Sequence, residues 1–498
     1  MNLLLLIILP LVTALAILPL KGLKQVRMIA FIGSLAQLLL STGLLIAYWK
    51  ERSSGNMAAM LFEDHYTWYK ALLINFHIGV DGISISMILL TAIVVLAGVL
   101  VSWKQEKWNK EFFFLLILLS LGAYGFFISL DLFTLFFFLE LAVIPKFLLI
   151  GIWGSGKKEY SAMKLALMLM GGSALVFVGL AGIYFHTDIN GQHSFDLMQI
   201  AGTRLPLEVQ KIFFPFAFIG FGVFTALFPF HTWVPDGHSS APTAASMFLA
   251  GISMKLGGYG CLRVATFLMP DAAHEYAWII ILLSTIAIIY GALATMMQTD
   301  LKYINAYSSV SHVGFVILGI GMLTKTSIAG SVMQMVSHGL ITALFFAAIG
   351  MIYDRTHTRD MARLGGLLKI MPFISTVFVI AGLASLGLPG FSGFVAEMTI
   401  FMGSWQHADN LYRIATILAC ASIVVTAVYI LRAAGKAIMG PVVNTAYESL
   451  GDARWNEKLA AGILLLGIVV IGVAPFWLSE LIGPGTENLI QKIAAVVK

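Results

Sequence analysis

Apolar residues run along this chain in blocks separated by short polar segments. A helix needs about 20 apolar residues to cross a hydrocarbon core of roughly 30 Å, and blocks of that size recur from end to end. Their near-continuous character excludes barrel strands, which must alternate, and leaves helices as the class. The pattern predicts an all-α membrane protein of about fourteen transmembrane helices. The predicted spans are 2–20, 28–49, 80–103, 112–130, 132–152, 162–185, 211–252 (interrupted), 253–269, 276–297, 303–322, 329–352, 370–402 (interrupted), 411–431 and 457–480. The first lacks a basic leader and a small-residue cleavage site, so it is expected to be a retained helix rather than a signal peptide.

Two spans are too long and too broken to be simple helices. One runs through Pro229, His231, Pro235, Asp236, His238 and Pro242, the other through Gly387, Pro389, Gly390 and Gly393. Proline removes a backbone donor and clashes with the preceding turn, so helices seven and twelve should be discontinuous. Unwound backbone at membrane depth is tolerated only against protein or a wet cavity. The breaks lie five spans apart, and a five-helix unit repeated once arrives inverted. Inverted repeats with broken helices are a transporter architecture.

Composition agrees: 59% of the 498 residues are hydrophobic and only 11% charged, against roughly 25% charged in soluble proteins. A net charge of +5 could suggest a nucleic-acid partner, but the Lys and Arg residues fall on alternate loops, so none is expected. The more basic loops carry Lys21, Lys24, Arg27, Lys104, Lys107, Lys110, Lys157, Lys158, Lys302, Arg355, Arg359, Arg363, Lys369, Arg432, Lys436, Arg454 and Lys458. That side should be cytoplasmic, which puts both termini on the periplasmic side of a bacterial inner membrane. Cys261 and Cys420 lie far apart in apolar stretches; they suit neither an iron–sulfur cluster nor a disulfide framework. No phosphate-binding loop occurs, so the chain is expected to do no redox chemistry and to bind no cofactor itself.

Charges inside the spans carry the chemistry. Each costs about 2.5–3.5 kcal/mol at a helix centre, yet Glu140, Lys146, Lys164, Lys255 and Glu397 stand within them. Structural pairing or snorkelling is the competing reading, strongest for Lys164 near its helix end. Acids and lysines spread over several helices resemble a proton relay, because desolvation brings their pKa values towards neutrality. His338 lies mid-span, and His231, His238 and His312 are further possible relay positions. No metal site is expected, since no His-rich pair has ligand spacing beside a carboxylate.

At this point the motifs resemble a known family. Gly79–Ser84, His231–His238, Gln298–Lys302, Ser309–Gly314 and Leu386–Gly390 are similar to those of antiporter-like subunits of respiratory complex I, the proton-pumping NADH:quinone oxidoreductase. Glu397, at a position where the L and N branches and the antiporter relatives usually carry lysine, points to the M branch, as does Ile352–Met361. An L-type subunit would be longer. The resemblance implies helices one to three over 1–110, a first five-helix repeat over 111–270, a second, inverted one over 271–435, and a fourteenth helix within 436–498. It implies that Glu140, Lys164, Lys255, His338 and Glu397 line a hydrated axis, with redox energy arriving from neighbouring subunits such as L and N. The NADH, FMN, iron–sulfur clusters and quinone would belong to the rest of the complex.

One position departs from the family. A lysine is expected seven residues before His231, as partner of the helix-five glutamate, and Phe224 stands there. Lys146 occupies a position that is usually uncharged, and is read here as the replacement cation. Two other functions stay open: a subunit of a cation/proton antiporter complex, or a scaffold that fills the membrane arm without pumping.

Overall fold

The computed structural model describes residues 2–70, 74–189 and 191–494. Eleven helices among the described residues are long and apolar enough to cross a membrane. The chain begins with α1 (Leu5–Ile17), α2 (Leu23–Ser53) and the strands β1 (Leu61–Tyr69) and β2 (Ile74–Val80). It continues through α3 (Gly82–Val101), α4 (Asn109–Ile128), α5 (Leu132–Leu141), α6 (Val143–Trp153), α7 (Lys158–His186) and α8 (Leu197–Gly202). The antiparallel hairpin is a departure from the all-α expectation. Its first strand is rich in aromatic residues that suit a pleated surface, but charged residues between them hide the pattern from a search for apolar blocks.

The first broken helix consists of α9 (Leu207–Thr225) and α10 (Trp233–Ser240). Ala226 adopts the left-handed conformation that ends α9, and Trp233 Nε1 folds back to donate to Val223 O at 2.9 Å. Beyond α10, Pro242 holds Ala241 extended, as expected of a residue preceding proline. The predicted boundary between spans seven and eight at 252/253 is therefore corrected. Helix eight starts at Thr243 and runs through α11 (Thr243–Phe248), a π-helical turn (Leu249–Ser253), α12 (Met254–Gly260) and a second π turn (Cys261–Thr266). The carbonyls stranded at the end of α10 are taken up from outside it. Ser155 N donates to Ser240 O, Arg359 to Ser239 O, Lys302 to Ala241 O and Ser246 to His238 O.

The remainder comprises α13 (Pro270–Glu275), α14 (Ala277–Met296), α15 (Leu301–Gly321), α16 (Lys325–Thr356), α17 (Leu367–Ile370), α18 (Pro372–Ser385) and α19 (Ser392–Trp405). After these come α20 (Asn410–Ala433), α21 (Trp455–Val473) and α22 (Phe476–Ala494). The second predicted break separates α18 from α19, with Gly387 and Gly390 at positive φ. The single helix expected over 436–498 is two, because Pro475 stops α21. Helices α3, α15 and α16 are almost wholly enclosed, whereas α2, α20 and α21 turn apolar faces outward. Leu39, Ile46, Val424 and Leu431 are among the residues left exposed there, as a lipid-facing shell requires.

Candidate functional site

Lys255 sits between the two π turns of helix eight, a distortion that often marks functional positions. It is 1% exposed, and its ammonium donates to Ala250 O at 2.5 Å and to His338 Nδ1 on α16 at 2.7 Å. The His338 ring lies 5.6 Å from that of His312 on α15. His312 Nδ1 lies 3.3 Å from Glu397 Oε1 on α19, and its Nε2 lies 3.0 Å from Ser385 Oγ at the end of α18. A small cavity of about 10 Å³ lies between His312, His338 and Glu397. Four side chains from four helices thus form one line that ends beside the second helix break. Gly387 is part of its construction, because a Cβ there would stand 2.7 Å from Glu397 Oε2.

Glu140 and Lys146 form a second cluster. Helix five is broken at Ala142 into α5 and α6, with Pro145 just beyond, so the two residues come off separate helical segments. Glu140 accepts a hydrogen bond from Ser173 on α7. Lys146 is 1% exposed; its ammonium has no protein hydrogen-bond partner and interacts electrostatically with Glu140. It lies 5.9 Å from the centroid of the Phe224 ring. The cation on helix five therefore reaches the helix-seven position where the family's lysine was expected, and rests on the aromatic ring found there. Among the described residues, no hydrogen bond or ion pair joins this cluster to Lys255.

Lys164 is neither snorkelling alone nor part of the buried line. Its ammonium pairs with Asp236 on α10 at 2.6 Å, both side chains being about a quarter exposed, and Tyr303 donates to the same carboxylate. His231 is buried against Phe228 and Tyr290. His238 is fully enclosed, stacked on Phe346, with neither ring nitrogen bonded within the protein. It lies within electrostatic reach of both Lys302 and Lys255.

Lys302 was missed as a site residue, because its place just after Asp300 makes it look like a loop charge. It is 3% exposed and points inward to Ala241 O at 2.7 Å. It lines a vestibule of about 410 Å³ together with Lys104, Gln105, Asp354, His357 and Arg454, on the side bearing the basic loops. Asp236 was quoted only as part of a motif; its pairing with Lys164 gives it a role. Two buried ion pairs were also missed. Arg263 pairs with Asp81, which caps α3 through a capping box, and Arg355 pairs with Glu457 at 2.7 Å. Single charges near helix ends give no local sign that they are enclosed.

Residues 129–426 match a family model described as NADH:quinone oxidoreductase/Mrp antiporter, TM, a stretch containing both helix breaks and both clusters. The NADH-quinone oxidoreductase subunit M of Rickettsia prowazekii is 38% identical over 434 residues, covering 86% of this chain and 87% of that one. This chain belongs to the NADH-quinone oxidoreductase subunit M family. The NAD(P)H-quinone oxidoreductase chain 4-2 of a Synechocystis species is also similar, at 34% identity over 94% of this chain and 88% of the relative. The fold is shared with a chain of respiratory complex I from Thermus thermophilus, at a TM-score of 0.89 and 24% identity over 99% of each chain. It is shared too with a chain of the Mrp complex of a Dietzia species, at a TM-score of 0.85 and 18% identity over 100% of this chain and 99% of that one. The subunit M relatives are thus subunits of an NADH-quinone oxidoreductase, and this chain is a multi-pass member of the same family.

Proposed function

We propose that this subunit M family member moves protons across the bacterial inner membrane, driven by quinone reduction elsewhere in complex I. The observation that carries the reading is the line Lys255–His338–His312–Glu397, a set of titratable groups in successive contact at positions where burial penalises charge. Protons enter from the basic, cytoplasmic side through the vestibule at Lys302 and pass His238 to Lys255. They leave past Glu397 at the second break. The chain has two inverted repeats, 111–270 and 271–435, each supplying one broken helix. Both termini are periplasmic, and the outward apolar faces meet neighbouring antiporter-like subunits and lipid.

Lys146 serves as the input cation in place of the lysine missing at Phe224. Its contact with that ring and its shared surroundings with Glu140 support the substitution. Lys164 and Asp236 form a second charged pair, beside a separate pocket lined by Asp236, Tyr303 and Arg359. Buried nitrogens of Lys146, His238 and His338 lacking protein partners are the groups that a chain of water molecules would satisfy.

Intact complex in liposomes, energised with NADH and quinone, tests the reading. Lys255→Met should sharply lower proton uptake per NADH oxidised while leaving assembly intact. Uptake equal to that of the natural protein would favour the non-pumping scaffold.

A further inference from the structure

The hairpin β1–β2 carries a group of side chains that proton transfer does not use. His65 and His77 are direct cross-strand partners, and their rings stack with centroids 3.6 Å apart. Glu63 precedes His65 by two residues and so shares its face of the strand. An irregularity in the strand pairing between Leu61 and Asp64, with Phe62 at positive φ, re-aims the chain there, as bulges do. The result is that Glu63 Oε2 comes within 3.0 Å of His77 Nε2, and one ligand atom from each of the three residues lies within 4.8 Å of the others. His77 is enclosed, whereas Glu63 and His65 are exposed and free to adjust.

The other nitrogen of the His77 ring gives an independent indication. Nδ1 lies 2.7 Å from Asp196 Oδ2, and Asp196 in turn accepts from Gln199 N while capping α8. With the ring proton donated to Asp196, the Nε2 lone pair faces the Glu63 carboxylate; the exposed His65, stacked over the ring face, joins the same ligand by rotating its side chain. A carboxylate that fixes the tautomer of a ligating histidine is the usual outer shell of a metal-binding imidazole. Two imidazoles and one carboxylate are also a donor set that zinc accepts, with a fourth position left for water.

We propose that Glu63, His65 and His77 form a binding site for a divalent transition metal of zinc's class, with Asp196 positioning His77. The site lies on the face opposite the basic loops and is independent of the proton line. Sequence spacing hides it, because Glu63 and His65 join His77 only through the register of the hairpin.

Intact complex stripped with EDTA and dialysed against micromolar Zn²⁺ tests the site. The natural protein should retain one more zinc per chain than His65→Ala or Glu63→Gln, and Asp196→Asn should weaken binding about 10–100-fold. Both ligand substitutions are at exposed positions, and unchanged NADH oxidation in zinc-free buffer verifies their assembly. Co²⁺ bound to the natural protein should give a visible absorption of tetrahedral type that His65→Ala lacks. Equal zinc retention by the natural protein and both ligand variants overturns the proposal, as does the absence of a Co²⁺ band from the natural protein.

Discussion

At the scale of residues, Lys146 makes the sharpest claim. If its ammonium replaces the helix-seven cation, Lys146→Met should reduce the protons moved per NADH by half or more. The double substitution Lys146→Met/Phe224→Lys should restore most of that loss, because it returns the cation to the opposite wall of the same space. A separate expectation concerns Asp131, which caps α5 by accepting from Phe133 N and Thr134 N and also holds Asn75 N of the hairpin. Burial outweighs these backbone hydrogen bonds and pushes the Asp131 carboxyl up to about 6. Its value in the unfolded chain is about 3.9, so the folded state takes up the proton first as pH falls. This group therefore adds stability as pH drops from above 6 and withdraws it as pH rises again. Asp131→Asn should flatten that dependence and keep the cap, whereas Asp131→Ala should cost about 1 kcal/mol; thermal unfolding across pH separates the two. Glu140, Lys255, His338 and Glu397 were legible in the sequence because a polar residue inside an apolar run stands out. Their partners were not, since nothing local connects Lys255 with a histidine 83 residues away. Lys302 escaped notice because helix-end charges usually face water.

At the scale of elements, both broken helices could be read from prolines and glycines, but their ends could not. The seventh span seemed to continue beyond Pro242 because the residues after it are small and apolar. The chain instead ends one helix at Ser240 and starts the next at Thr243. The hairpin escaped for the opposite reason: its strands are too polar to register as membrane segments and too short to register as a domain. At the second break, the left-handed backbone of Gly387 and the carboxylate of Glu397 leave no room for a methyl group. Gly387→Ala should therefore cost about 1–3 kcal/mol and displace Glu397. The expected readout is reduced proton transfer with quinone reduction retained, measured alongside the Tm of the complex. A normal proton yield in this variant would mean that Glu397 does not depend on the geometry of the break.

At the scale of the whole molecule, enclosed helices α3, α15 and α16 form a low-dielectric interior, and the helices around them turn apolar faces to the lipid. Such an interior makes an isolated charge costly and a paired or proton-sharing one tolerable. That explains why the titratable groups gather in lines and pairs instead of scattering. The central claim is that protons pass along the line from Lys255 to Glu397, and among the described residues His338 bridges Lys255 and His312. The most direct test is the proton-to-electron stoichiometry of reconstituted complex carrying His338→Leu. A stoichiometry below that of the natural complex, with electron transfer still running, is the predicted result; an unchanged stoichiometry would contradict the claim.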